Sequence, residues 1–325
     1  MKQFVIVLFL AVFFAHAADR PETLRLEADL DAMGSVFSVV VYGEDRVRLE
    51  AAVEAAFEEV RRLDQMLSNY RPESEWSRVN RLAAGRPVRV STELFRLLEA
   101  CLDYSRRSQG AFDISVGPLM KVWGFYKGSG RLPHRAEVRT ALARVGYRNV
   151  QLDPAAQTVR FARQGIDLDP GGIGKGYAVD RMVEVLRTAG VGSALISAGS
   201  SSIYAVGAPP GERGWKVNIR DPKDESKVAA EVVLKDESMS TSGSYEKFFR
   251  AEGRTYSHIM DPRTGFPAAG TLSVSVIAPR TLDSEAWTKP FFILGRNWTA
   301  TNKSTGFRVF FCPEVAMGST CAWLP

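Results

Sequence analysis

The chain has 325 residues, 45% of them hydrophobic and 24% charged, with a formal net charge of +5. This is the composition of a folded globular chain and excludes a disordered or low-complexity one. The basic residues form no clustered stripe, so nucleic acid is excluded as a partner, while the mild positive balance suits an anionic ligand.

Met1-Lys2 is a short basic start, Phe4 to Ala15 an almost unbroken apolar run, and Ala15-His16-Ala17 a small-x-small site. This predicts a secretory signal peptide over 1–17, cut after Ala17, and an exported, periplasmic protein over 18–325. The alternative, an uncleaved anchor, needs a longer run to span a bilayer. No cysteine follows the site, so no lipid anchor is expected. Ser35 to Tyr42 reads as a strand. Leu49, Val53, Phe57, Val60, Leu63 and Leu67 recur three or four apart and predict a long helix. Leu94, Leu97, Leu98, Cys101 and Leu102 mark a second. Lys175 to Ala189 is a third, with Gly190 placed to end it. Beyond it the period shortens: 193–196, 202–206, 215–219, 228–234, 256–260 and 272–277 read as short strands between glycines and prolines. Early helices and late strands predict an α+β (mixed α/β) fold, in one compact unit or two interlocked lobes. Cys101 lies on an apolar helical face and reads as core. Cys312 and Cys321 are close in sequence, and a disulfide between them fits an exported chain.

Four segments could carry chemistry. The first is IDLDPGGIGKGYAVD, Ile166 to Asp180. A strand-like run ends in acids, a glycine turn follows, and Lys175 opens a helix. Backbone N–H groups at a helix start beside a lysine suit phosphate. It is no Walker loop, because Asp169 and Gly176 stand where that motif needs Gly and Ser or Thr; Gly172, Gly174 and Gly176 run GxGxG and not GxGxxG. A plain strand-to-helix turn accounts for the segment alone equally well. The second is RTYSHIMDPRTGFP, Arg254 to Pro267. His258 could accept a proton from a hydroxyl and Asp261 could orient it, although a lone strand histidine is more often structural. The third, Ser240 to Tyr245, clusters hydroxyls that could bind phosphate or cap their own turn. The fourth, GAFDISVGPLMKVWGF, sets Phe112, Trp123 and Phe125 around Asp113; such aromatics stack on flat rings or, more often, fill a core.

In this order the segments resemble the ApbE family, the FAD:protein FMN transferases. The resemblance begins at Met33-Gly34-Ser35 and runs through LDQMLSNY (63–70), Glu73-Ser74, Asn80 and GAFDISVGPLMKVWGF. It continues through DLDPGGIGKGYAVD, STSGSYEK, SHIMDPRTG and SVSVIAP to Phe291-Phe292-Ile293-Leu294-Gly295. It implies a mixed α/β fold with FAD in a cleft and Mg²⁺-dependent chemistry outside the cytoplasmic membrane. FMN would pass from FAD to a Thr or Ser hydroxyl of an acceptor, a membrane or periplasmic redox protein, and AMP would leave. Some relatives hydrolyse FAD to FMN and AMP instead, and a retired FAD-binding protein is a third reading.

Carried over by position, the resemblance implies that Met33 and Tyr70 contact the flavin or adenine rings. Ala111, Phe112, Asp113, Asp169 and Lys175 would line the FAD site, with Ile259 against the cofactor. The carbonyl of Gly172 would bind metal and His258 would be the general base. Two departures stand out. Family members commonly carry Asp-Ala-x-x-Thr, whose Asp and Thr bind metal; here Glu285 and Lys289 occupy those positions. A carboxylate can coordinate, but an ammonium cannot. A one-residue slip would place Ser284 and Thr288 there, with Asp283 nearby. The other departure is Gly199-Ser200-Ser201-Ser202, where the family usually has paired glycines.

Overall fold

A computed structural model describes residues 23–128, 130–314 and 320–325. The predicted signal peptide over 1–17 lies outside the described residues. The chain opens with β1 (Leu24–Ala32) and β2 (Ser35–Gly43), then α1 (Arg46–Leu67), α2 (Glu75–Leu82), β3 (Val88–Arg89), α3 (Thr92–Arg107), α4 (Gly117–Val122), α5 (Arg135–Leu142), β4 (Val150–Asp153) and β5 (Thr158–Phe161). After α6 (Gly174–Thr188) come β6 (Ala194–Ala198), β7 (Ser202–Val206), β8 (Trp215–Asp221), β9 (Asp224–Leu234), β10 (Glu237–Gly243), β11 (Phe248–Ala251), β12 (Arg254–Ser257) and β13 (Thr271–Ala278). The long α7 (Thr281–Asn302), broken at Gly295, leads to β14 (Arg308–Pro313) and β15 (Ala322–Trp323).

Among the described residues the main sheet has eight strands, in the order β1-β2-β6-β7-β10-β13-β14-β15. Every neighbouring pair runs antiparallel. The mixed fold with an antiparallel sheet agrees with the expectation of helices early and strands late. β1 and β2 join through Met33 and Gly34 alone, both at positive φ (51° and 68°). That is the backbone a two-residue hairpin turn needs, and it costs Met33 some strain.

One sheet face presents Phe37, Val39, Val41, Ile196, Val274, Val276 and Phe311, all buried beneath helices. Helix α1 turns Leu49, Val53, Phe57, Val60 and Leu63 to this core, as its three-and-four spacing predicts. Each such side chain contributes about 1.5–3 kcal/mol of apolar transfer. The other face is covered by the β8–β9 hairpin through Trp215, Val217, Ile219, Val232 and Leu234. Cys312 lies in this second core and is disulfide-bonded to Cys321.

Helices α6 and α7 cap each other. Asp180 of α6 accepts from the backbone N–H of Thr281 (2.6 Å) and Leu282 (2.9 Å), the first donors of α7. Glu285 of α7 accepts from the N–H of Gly176 (2.5 Å), in the first turn of α6. Neither helix has a side-chain cap from its own flanking residue, so orphan donors at each start are satisfied by the other helix. The crossing is close. A methyl at Gly176 would stand 2.6 Å from the Thr281 carbonyl oxygen and 2.8 Å from Glu285 Oε2.

Candidate active site

The glycine turn is held from below. Asn80 clasps Leu168 with both ends of its amide, donating to the carbonyl (2.9 Å) and accepting from the N–H (2.7 Å). The Trp76 indole donates to the same carbonyl at 3.0 Å. Asp169 comes next. Its Oδ1 accepts from Gly171 N–H at 2.6 Å, and the Tyr126 hydroxyl hydrogen-bonds to its carboxylate. Burial raises Asp169 above the ordinary carboxylate range, against those hydrogen bonds. Asn69 donates to the Tyr126 oxygen at 3.0 Å, and Tyr70 meets the Tyr126 ring edge-on at 6.2 Å. Tyr70 itself is 74% exposed, a flat surface open to solvent beside the turn.

Pro170 opens the turn that leads into α6, its carbonyl accepting from Gly174 N–H at 2.8 Å. Lys175 Nζ donates to Ser201 Oγ in the Gly199–Ser202 turn. The tip of Met33 comes within 3.2 Å of the Cβ position of Gly174. The Cβ position of Gly172 lies 3.3 Å from Phe112 Cε2 and 3.7 Å from Lys289 Cε. The structure thus gathers Met33, Phe112, Gly172, Lys175 and Lys289 around the start of α6, with Asp169, Tyr70 and Tyr126 just before it.

The α7 side faces this turn with Glu285 and Lys289. Lys289 Nζ donates to the Glu285 carbonyl at 3.0 Å and stands 4.0 Å from Glu285 Oε1. Burial, opposed by Glu285 and reinforced by Lys175, pushes Lys289 down to about 8. Thr288 and Ser284 point away from the turn. Thr288 Oγ1 donates to the Glu285 carbonyl (2.7 Å) and accepts from Ser242 (2.8 Å), while Ser284 exchanges bonds with Ser238 and Ser240. Asp283 is bound to Tyr104 and Arg280. The ungapped register, with Glu285 and Lys289 toward the turn, is the one in this fold.

His258 completes the cleft. Its Nδ1 lies 3.0 Å from the Lys247 carbonyl, which also accepts from the His258 backbone N–H at 2.9 Å. A carbonyl can only accept, so Nδ1 carries the proton and Nε2 is left as a lone-pair base. Burial is the main cause that drives His258 down to about 4. The Lys247 bond opposes it, and the charges of Lys289, Lys247 and Lys175 assist.

A family model described as the ApbE family matches residues 33–311. The chain belongs to the ApbE family. A relative from Treponema pallidum named FAD:protein FMN transferase is 35% identical over 279 residues, covering 81% of this chain and 77% of that protein. One of the same name from Klebsiella pneumoniae is 33% identical, covering 81% and 80%. The solved ApbE protein of Thermotoga maritima superposes with a TM-score of 0.82 at 29% identity, over 90% of this chain and 95% of that one. The apo form of Pseudomonas stutzeri flavinyl transferase ApbE gives 0.81 at 29% identity, over 93% and 95%.

Several expected site residues have other work. Asp261 was expected to orient His258, but its carboxylate receives Arg263 through the backbone N–H (2.9 Å), Nε (2.9 Å) and Nη2 (2.8 Å). The Lys247 carbonyl orients the ring instead. Asp113 binds Ser115 N–H (2.8 Å), Ser115 Oγ (2.6 Å) and Tyr147 N–H (2.6 Å), tying its loop to the core; burial raises it. Ala111 and Ile259 are buried. The hydroxyls of 240–242 are not a phosphate turn: they lie on β10 and bond to α7 and to Ser275 of β13. Trp123 is core, its indole donating to the Gly265 carbonyl at 2.9 Å. Sequence reasoning missed Tyr126, Ser201 and Lys247. Tyr126 directly follows the aromatic segment and could have been found there. Lys247 acts through its backbone, which no side-chain pattern announces.

The Mg²⁺ that the family implies does not fit this donor set. Glu285 Oε2 is bound to Gly176 N–H, and the ligand position after it is an ammonium beside Gly172. Among the described residues no group of three or more His, Cys, Asp and Glu could hold a metal. An ammonium repels the ion and offers it no lone pair.

Proposed function

We propose that this chain transfers FMN from FAD to a Ser or Thr hydroxyl of an acceptor protein. The observation that carries the reading is His258, its Nδ1 proton fixed on the Lys247 carbonyl and its Nε2 left as a base, in a cleft that also holds Lys175 and Lys289 at a helix start. That is a neutral base beside an anion site. The pyrophosphate of FAD suits the start of α6, where the helix dipole and two ammoniums favour negative charge. Tyr70 and Tyr126 offer flat surfaces for a ring.

The hydroxyl oxygen of the acceptor attacks the phosphorus on the riboflavin side. The bond from that phosphorus to the bridging oxygen breaks, and AMP leaves with that oxygen. Nε2 of His258 takes the hydroxyl proton and releases it to the departing phosphate or to water. Lys175 and Lys289 balance charge that builds on the phosphate oxygens.

The test is incubation with FAD and a candidate acceptor, scoring covalent flavin and AMP. Equal amounts of the two support transfer; AMP and free FMN without acceptor mean hydrolysis. His258→Ala should slow transfer by about 100- to 10,000-fold with FAD affinity little changed, and full activity would remove histidine from the reaction. The predicted signal peptide and the Cys312–Cys321 disulfide support a periplasmic location, which cell fractionation tests.

A further inference from the structure

The positive charge facing the glycine turn comes from the chain itself. Lys289 Nζ uses one donor on the Glu285 carbonyl at 3.0 Å, which leaves two of its three for a ligand. Glu285 is only a partial counter-ion to it. One oxygen closes the start of α6 on Gly176 at 2.5 Å, and the other is 4.0 Å from the ammonium. The hydroxyls that could have joined a coordination sphere, Thr288 and Ser284, are bonded within the core to Ser242, Ser238 and Ser240. Across the gap, Lys289 Cε lies 3.7 Å from the Cβ position of Gly172, so the side chain fills the space between α7 and the turn.

We infer that Lys289 is a built-in cation for the pyrophosphate, and that FAD binding and FMN transfer here need no divalent metal. This rests on the reading that FAD lies at the start of α6. An ammonium supplies charge and hydrogen bonds to phosphate oxygens without exchanging with solvent. It gives up the Lewis acidity and multiple ligation that a divalent ion would bring.

The experiment measures FAD affinity by flavin fluorescence in excess EDTA and in excess MgCl₂, for wild type, Lys289→Thr, Lys289→Met and Lys289→Arg. Manganese EPR in the presence of FAD counts bound metal, and circular dichroism confirms that each variant folds. Wild type and Lys289→Arg should bind FAD equally in both buffers, and wild type should take up no Mn²⁺. Lys289→Thr should bind about 10- to 100-fold more weakly in EDTA, recover with Mg²⁺, and take up one Mn²⁺ per chain. Lys289→Met should stay weak in both buffers.

Tenfold tighter binding of FAD to wild type with Mg²⁺, or undiminished binding by Lys289→Thr in EDTA, overturns the inference and leaves the transferase reading standing. Failure of wild type to bind FAD in either buffer overturns both.

Discussion

The starts of α6 and α7 use one device to different ends. At α7, Asp180 gives both oxygens to backbone donors and is largely enclosed; burial raises it to about 6 in spite of those bonds. At α6, Glu285 gives one oxygen to Gly176 and keeps the other near Lys289. The first carboxylate is architecture. The second closes a helix and also sets the charge of the cleft. Position in the fold, not residue type, decides which carboxylate bears on the cleft.

The largest effect should come from breaking both starts at once. Gly176→Ala puts a methyl 2.6 Å from the Thr281 carbonyl oxygen, a backbone atom that cannot swing aside. We expect a loss of about 3 kcal/mol from overpacking and weakened caps, read by urea unfolding. Unchanged stability would mean that the helices can part.

Next is Asp180→Ala. It strands two donors and should cost about 2 kcal/mol, while FAD affinity stays near wild type in the folded fraction. A selective loss of FAD binding would erase the distinction between the two carboxylates.

Acidity separates Asp180 from His258. Asp180 is raised from 3.8 to about 6, so its contribution is greatest below pH 3.8 and is lost as pH rises through 6. His258 is lowered from 6.5 to about 4, so its contribution is present above pH 6.5 and is lost as pH falls through 4. The windows overlap with opposite sign and offset each other. Relative to wild type, Asp180→Asn should therefore lose stability as pH falls from about 6 to 4, and His258→Ala should gain it. Parallel curves for the three proteins would contradict these shifts. The acid limb of kcat/KM should likewise bend near pH 4 and not near 6.5.

The smallest effect is expected for Glu285→Gln. Its amide oxygen can still cap Gly176, so stability should change by less than about 1 kcal/mol. FAD affinity should rise roughly threefold as Lys289 loses its counter-charge. A large fall in stability would place Glu285 with Asp180 after all.

The helices α1, α3 and α6 were legible because each buries one stripe at helical spacing. The α+β class followed from them and from the later strands. β1 alternates Leu, Leu, Ala, Leu with Arg, Glu, Asp, Asp, a strand pattern that lies ahead of the one expected from Ser35. α7 offered no stripe: residues 281–292 are buried on nearly every side, which removes the polar contrast that marks an amphipathic helix. β10 was mistaken for a turn because its buried face is serine, made tolerable by hydroxyl partners on α7. Within the site, Lys175, Lys289 and His258 were readable as side chains. The partners that fix them, a carbonyl and a neighbouring helix start, exist only once the chain is folded.

The crossed caps join residues 101 and 109 positions apart. The start of α6 therefore stays unfinished until the last quarter of the chain has docked. A piece that ends before α7 cannot complete the cleft, which closes through long-range contacts. A ligand that needs both sides of the cleft is bound only when α7 is docked on α6, so FAD should raise the melting temperature.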